Sequence, residues 1–377
     1  MHDLATRLAH AGCPPDPRDR AATASPVFAT TFLRDADGTY PGGHVYSRTS
    51  NPTRDLLEAT LADLDGGAEA AAFGSGQAAV AAVLNALPVG SRVLLPNDVY
   101  HGVRALATGP MADRIAVRTV DMSDRGALRM ALSDGPVALV WLETPSNPLC
   151  RVTDLAAAVE MAHAAGARVC VDATWTPPPL TRPLDFGADL VVHSLTKYLA
   201  GHSDVLGGAV VTREADADFA AVRHQQALAG GVLDPFSCWL TLRGLRTLDV
   251  RLERQCANAA AAAVFLAAHP AVTAVHYPGL ATHAGHAVAV RQMRLHGATC
   301  FGGMLSFEVA TEAEARRVAG ATRVLAQATS LGGTESLIEH RRSVEPPAST
   351  TPPTLLRVSF GLESARDLID DLVQALG

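Results

Sequence analysis

Between Arg92 and Thr212 the chain alternates two kinds of segment. Short runs rich in valine and leucine (Val93–Leu95, Val137–Trp141, Val169–Asp172, Leu190–His193 and Ala209–Thr212) are separated by longer, alanine-rich amphipathic stretches. The short runs are apolar at consecutive positions, so both faces of each strand must be covered, and intervening helices are how a parallel sheet achieves this. The pattern predicts an α/β fold with a mostly parallel sheet. Ligands in such folds gather beyond the carboxyl ends of the strands, where several polar clusters of this sequence fall.

The flanking regions read differently. The first residues, through Cys13 and the prolines at 14, 15 and 17 to about Phe32, are proline-punctuated with little helical period, which predicts an extended arm of the kind that wraps a partner subunit. Asn51 can cap a helix with Pro52 in its first turn, Leu56, Leu57, Leu61 and Leu64 form its stripe, and Gly66-Gly67 ends it. Past Asp234 a long helix (Arg246 to Ala268), a strand-like Val272–Tyr277, another helix, and strand-like Gly303–Val309 and Leu356–Ser359 predict a smaller α+β domain. The proline-rich stretch Glu345 to Pro353 reads as a loop, and no internal repeat is visible. The expected organisation is an arm over residues 1–45, a large domain over 46–234 and a C-terminal domain over 235–377.

Composition narrows the function. The 377 residues are 48% apolar and 18% charged, which excludes disorder. Thirty-one basic against 38 acidic residues give a net charge of −7, with no basic surplus for nucleic acid or an anionic membrane. The longest apolar stretches, such as Ala259–Ala268, are too short to span a bilayer, and the N-terminus lacks a basic segment followed by an apolar one, so a cytoplasmic protein is expected. The six cysteines show no CxxC pairing and read as reduced, structural thiols. His276, His283, His286 and His296 form a loose group without HExxH or paired-cysteine spacing, so no metal site is expected.

The most informative segment is ADLVVHSLTKY, from Ala188 to Tyr198, where a buried strand runs directly into Ser194, Thr196 and Lys197. A loop lysine is ordinarily just solvated. Asp172, however, ends a neighbouring predicted strand and can reach the cleft that Lys197 faces. An amine that forms a Schiff base and a carboxylate that keeps a pyridine nitrogen protonated are what pyridoxal phosphate needs as an electron sink. Its phosphate needs donors, and Gly74-Ser75-Gly76-Gln77 leads into an alanine-rich helix whose first amides are free. Gly74, Gly76 and Ala79 also fit a loose dinucleotide fingerprint, with Asp98 as its acidic residue. A nicotinamide oxidoreductase would leave Ser194, Thr196 and Lys197 without a role, whereas a phosphate held by Gly76, Gln77, Ser194 and Thr196 employs them all.

YSRTSNPT (46–53), Ser75-Gly76, ETPSNP (143–148), Val171-Asp172 with Thr174, HSLTKY (193–198), GHSD (201–204) and SLGGTESL (330–337) follow one another along the chain. In content and order they resemble the Cys/Met-metabolism (trans-sulfuration) family of pyridoxal-phosphate enzymes, which includes cystathionine γ-synthase, cystathionine γ- and β-lyases, methionine γ-lyase and homoserine sulfhydrylases. The resemblance covers the chain from about Phe28 to its end. It implies an aspartate-aminotransferase-like fold (fold type I) and assigns roles. Lys197 would bind the cofactor covalently and shuttle protons, Asp172 would pair with its ring nitrogen, and Tyr100 would stack on the ring and donate a proton to the leaving group. Gly76, Gln77, Ser194 and Thr196 would hold the phosphate, with Tyr46 and Arg48 reaching it from a neighbouring subunit of a homodimer, itself paired into a tetramer. Arg357 would clamp the substrate carboxylate, helped by Asn147 and Ser330.

The sequence also departs from the family. Members that use cystathionine commonly carry an acidic residue before the YSR motif and a glutamate before SLG, where Val45 and Thr329 stand here. The family arginine five residues after the stacking tyrosine is replaced by Ala105, with Arg104 one residue earlier, and Gly102 replaces the cysteine typical of methionine γ-lyase. A distal ammonium would find no carboxylate at these positions. The expectation is therefore elimination or replacement at Cγ of an L-amino acid of the sulfur or homoserine type, cystathionine γ-lyase-like with an altered distal site. A β-lyase or methionine γ-lyase-like activity is the nearest alternative; a nicotinamide oxidoreductase and a non-catalytic pyridoxal-phosphate protein are alternatives of other classes.

Overall fold

The structure, a computed structural model, describes residues 2–13, 20–345 and 349–377. Seven strands, β1 (Glu69–Phe73), β2 (Ser91–Pro96), β3 (Ile115–Val120), β4 (Leu139–Glu143), β5 (Arg168–Asp172), β6 (Leu190–Ser194) and β7 (Gly208–Thr212), form one sheet in the order β1-β7-β6-β5-β4-β2-β3. All neighbours pair in parallel except β7, which runs antiparallel to β1 and β6. The expected mostly parallel α/β sheet is thus present, and the strand alternation explains its two cores. Trp141 and Cys170 face one side with Val80 and Val83 of helix Gly76–Ala86, while Val140, Leu142, Val169 and Val171 face the other with Leu57 and Leu61 of helix Pro52–Asp65.

The C-terminal region builds its own sheet. After β8 (Val272–His276) and a short pair, β9 (Arg294–Leu295) with β10 (Ala298–Thr299), come β11 (Met304–Val309), β12 (Ala326–Gln327), β13 (Leu337–His340) and β14 (Leu355–Ser359). Five of these order as β12-β13-β14-β11-β8, antiparallel except for β12 with β13. Phe307, Ile338 and Val358 pack with Leu266, Val318 and Leu372 from helices Leu248–Ala268, Glu312–Ala321 and Ala365–Leu376. This is the α+β arrangement read from the sequence.

Two local readings are corrected. Residues Leu4–Ala9 are helical rather than extended: Asp3 accepts from the amide of Ala5, and Leu8 is buried in the large core. Leu4 and Leu8, both packed on that core, span barely one turn, too little period to read, so packing decides this helix. The long helix starts at Leu248 rather than Arg246, because a separate helix, Pro235–Leu245, capped by Asp234, precedes it. The prolines at 14, 15 and 17 and part of the predicted loop (346–348) lie outside the described residues. Between Arg20 and Ser50 regular pairing is confined to the bridge Thr31–Tyr46, and Phe28 and Leu33 are exposed.

One buried pair ties a helix to the strand that leads to the site. Nε2 of His193 on β6 lies 2.9 Å from Oδ2 of Asp65, the last residue of helix Pro52–Asp65, and both side chains are inaccessible. Burial opposes a charge on His193, but the Asp65 carboxylate outweighs it and raises the imidazole above its ordinary pKa. Removing one partner strands the other's charge in the core, which costs about 3–5 kcal/mol. His193→Leu should therefore lower stability in urea denaturation by about 3 kcal/mol or more, and Asp65→Leu in the same chain should recover much of the loss. A double variant no more stable than the single one would show that the two side chains do not act as a pair.

Candidate active site

Parallel strands end at the same edge, and here β4, β5 and β6 deliver Glu143, Asp172 and Ser194 side by side, with Glu143 and Asp172 in register. The turn after β6 carries Thr196 and Lys197. The small sheet closes the other side: Arg357 comes from β14, and Ser330 and Thr329 from the loop before β13. These residues, with Gly76, Gln77, Tyr100 and Asn147, line one cavity of about 230 Å³. The loop before β13 passes directly over the lysine. Gly332 has φ +75, and a Cβ there would sit 2.7 Å from the amide of Tyr198, so only glycine permits this approach.

The lysine is held within this junction. Its Nζ donates to Oγ of Ser330 at 2.9 Å, and Ser330 itself is kept at φ 145, a backbone conformation that costs energy and is retained where the surroundings impose it. Burial, reinforced by the charge of Arg357, brings the Lys197 amine down to about 8. Arg357 is fixed on three sides: Nη1 donates to Oδ1 of Asn147 at 3.2 Å, and Nη2 to the carbonyl of Ser330 at 3.1 Å and to Oε2 of Glu339 at 2.8 Å. An arginine so preset presents its fork without further ordering, which suits a planar carboxylate.

The opposite end is acidic and rich in amides. Asp172 is pushed above its ordinary pKa by burial, moderated by hydrogen bonds from Thr174, and Glu143 is pushed well above its own by burial and by Asp172 beside it. Glu143 accepts from the amides of Tyr100 and Asn147, both at 2.9 Å, so it anchors the loop that presents Tyr100. Ser75 caps helix Gly76–Ala86, leaving the amides of Gly76 and Gln77 at its first turn, where no intrahelical acceptor exists. A Cβ at Gly76 would lie 3.1 Å from Cβ and 3.2 Å from Oγ of Ser194, so glycine lets the helix end meet that hydroxyl. The Thr196 hydroxyl accepts from the amide of Gly207 and donates to its carbonyl.

These residues fit pyridoxal phosphate. A helix end with a facing serine could take the phosphate, a protonated ring nitrogen is the counter-charge that the buried Asp172 calls for, and Lys197 supplies a near-neutral amine. Tyr100, half-exposed at the head of helix His101–Thr108, stands at the rim.

Not every expected residue reaches the cavity. Val45 and Tyr46 are 46% and 48% exposed, and Arg48 donates from Nη1 to the carbonyl of Ala227 at 2.6 Å, so the chain does not bring these three to its own site. Thr329 does line it, but its hydroxyl is engaged by Oε1 of Glu339. Three neighbours escaped the sequence reading as site residues, Glu339, Glu143 and His101, while Arg341 entered it only, with Arg342 or Arg104, as a possible substitute for the missing distal recognition. For Glu339 the one signal is a charge directly after the apolar Leu337-Ile338 of β13; Glu143 opens the ETPSNP motif, and His101 follows directly on Tyr100. The loose histidines are separately engaged, His276 with Glu308 at 2.8 Å, His286 with the carbonyl of Pro278 and His296 with Asp249.

Comparison with known proteins agrees with this geometry. The model of the family described as Cys/Met metabolism PLP-dependent enzyme matches residues 5–377. The chain is 44% identical over 389 residues to a cystathionine gamma-synthase of Mycobacterium tuberculosis, covering 99% of this chain and 96% of that protein. Its fold superposes on a crystal structure of cystathionine gamma synthase from Xanthomonas oryzae pv. oryzae with a TM-score of 0.95, at 42% identity and covering 100% of this chain and 98% of that one. A methionine gamma lyase from Micromonospora echinospora superposes with a TM-score of 0.92 at 39% identity, covering 100% and 99% of the two chains. A chain whose lysine, carboxylates and helix end converge in this way, matched over nearly its whole length, belongs to the Cys/Met-metabolism family of pyridoxal-phosphate-dependent enzymes.

Proposed function

We propose that the protein eliminates or replaces the γ-substituent of an L-amino acid of the sulfur or homoserine type, with a distal site not built for cystathionine. The observation that carries this reading is the single cavity in which Arg357, preset by Asn147 and Glu339, faces the lowered amine of Lys197. Arg357 binds the α-carboxylate in its fork and so places Cα within reach of Lys197. Bound pyridoxal phosphate, held by Asp172, Ser194, Thr196 and the amides of Gly76 and Gln77, supplies the electron sink for charge developing at Cα and Cβ. With a pKa of about 8, Lys197 has free amine near neutral pH and serves as the base that takes the proton from Cα, would hand that proton on to the bound cofactor, and as free amine again takes the next one from Cβ. Tyr100 at the rim delivers a proton to the departing γ-group. Water then leads to a 2-oxo acid and ammonia, and a nucleophile to a new γ-substituted amino acid.

The distal side supports a substrate without a second zwitterion. Val45 is apolar, Ala105 has no charge, and the Thr329 hydroxyl is spent on Glu339. Arg104 donates to the carbonyl of Asn97, and Arg341 is neutralised by Glu339 at 2.9 Å and Glu345 at 2.8 Å. One missing charge-assisted contact costs about 1.5–3 kcal/mol, or one to two decades in specificity.

The same reading includes the arm (1–45), the large domain (46–234) and the C-terminal domain (235–377), in a homodimer that pairs into a tetramer. The exposed Tyr46 and Arg48 support it, because they carry phosphate-binding chemistry yet lie outside the chain's own cavity. A cytoplasmic location is part of the proposal; among the described residues no helix is long and apolar enough to cross a membrane.

Three outcomes are expected. In a panel of γ-substituted amino acids the product is a four-carbon 2-oxo acid or a γ-replacement product, and kcat/KM for cystathionine falls at least about tenfold below the best short substrate. Pyruvate as product would move the reaction to β-elimination, and cystathionine as best substrate would overturn the distal reading. Capture of pyridoxal phosphate by the cofactor-free protein needs the neutral amine, so its rate should rise with pH and level off above about 8; a rise that continues to the ordinary lysine pKa of 10.5 would contradict the buried amine. Inactive Arg48→Ala and Lys197→Ala proteins, mixed under conditions of subunit exchange, should regain activity, since in a mixed dimer one site receives neither defect. Proven exchange without recovery would assign Arg48 to its own subunit.

A further inference from the structure

A second cavity of about 250 Å³ lies beside the substrate cavity, lined among others by Asp98, Arg104, Ala105, Thr108, Ser349 and Thr351. Among the described residues two side chains belong to the walls of both cavities, Asn147 and His101. Asn147 is committed to Arg357. His101 is therefore the partition between the space where Cα must lie and the space beyond it.

The imidazole is locked in that position. Its backbone opens helix His101–Thr108 directly after Tyr100, whose amide is held by Glu143 at 2.9 Å. Its ring leans on the Tyr100 ring, with centroids 4.5 Å apart and planes at 60°. On the other side Nη2 of Arg341 lies 3.3 Å from Nδ1. A guanidinium has donors only, so Nδ1 is the acceptor and the ring proton resides on Nε2. Arg341 cannot drift away: its side chain is 2% exposed and tied to Glu339 and Glu345. Burial, together with the charge on Arg341, holds His101 below its ordinary pKa and keeps it neutral.

We propose that His101 is the specificity-determining residue for the γ-substituent: its ring closes the passage to the second cavity against bulky groups, and its Nε2–H donates to an oxygen of a short one. This deepens the γ-reaction reading and rests on it. The consequence is a preference for compact, oxygen-bearing γ-substituents such as a small ester over thioethers or long chains. Removing the ring joins the two cavities, so that Thr108, Ser349 and Thr351 become walls of the added space.

The test uses the holoenzyme and two unreactive amino acids of different bulk, L-norleucine and L-homophenylalanine, whose binding is followed through the visible absorption of the cofactor. His101→Ala should shift the ratio of their dissociation constants toward homophenylalanine by about tenfold or more, on the scale of a removed steric block. A general loss of folding would weaken both ligands alike and leave the ratio unmoved. His101→Phe keeps the bulk and loses the donor, so it should retain the wild-type ratio while kcat/KM for O-acetylhomoserine falls about tenfold relative to methionine. An unchanged binding ratio in His101→Ala, or an unchanged ester preference in His101→Phe, overturns the proposal. If the wild-type enzyme eliminates or replaces no γ-substituent at all, the reaction reading fails instead, and the binding ratio still reports on the wall.

Discussion

Two guanidiniums and an amine are buried together where the two sheets meet, and Glu339 is the group that lets them remain there. Oε2 accepts from Arg357 at 2.8 Å and from Arg341 at 2.9 Å, while Oε1 engages the hydroxyl of Thr329. A buried cation that loses its partner costs about 3–5 kcal/mol, so this carboxylate decides whether an arginine can stand in the cavity wall at all. It also fixes direction, because Arg357 is pulled from one side by Glu339 and from the other by Asn147.

The cavity is consequently polarised along its length. Arg357 and Arg341, carried by the five-stranded sheet, stand at one end, with Lys197 brought down to about 8. The carboxylates of Glu143 and Asp172 stand at the other, both raised by burial. A zwitterionic amino acid and a cofactor with an anionic phosphate and a cationic ring nitrogen match that arrangement group by group. The protein holds these groups in place before any ligand arrives, and such preorganisation is the larger part of what a site of this kind contributes to rate.

Joining the two sheets requires close backbone passage rather than side-chain bulk. The Ser330–Gly332 loop crosses over Lys197 and Tyr198, and Arg251 of helix Leu248–Ala268 donates to the carbonyl of Tyr198 at 2.9 Å and that of Gly244 at 2.8 Å. The lysine, which follows the seven-stranded sheet, is thereby gripped by the loop before β13 of the five-stranded one.

By itself the sequence determined the sheet, because strands apolar on both faces have few alternatives to a covered parallel arrangement, as β4, β5 and β6 illustrate. It also put Asp172, Ser194 and Lys197 at or just past strand ends and the Gly76 helix behind its cap, and these groups do line one cavity. The helix at Leu4–Ala9 was illegible, being a single short turn and a half held by Leu4, Leu8 and the Arg7–Asp63 pair against distant elements. So were His101 and Arg341, which are 240 residues apart in sequence and acquire meaning only by meeting across the cavity. Local pattern specifies which groups a strand end will carry. Which groups share a cavity, and so which charges compensate and which side chain becomes a wall, depends on contacts between remote segments that tertiary packing alone decides.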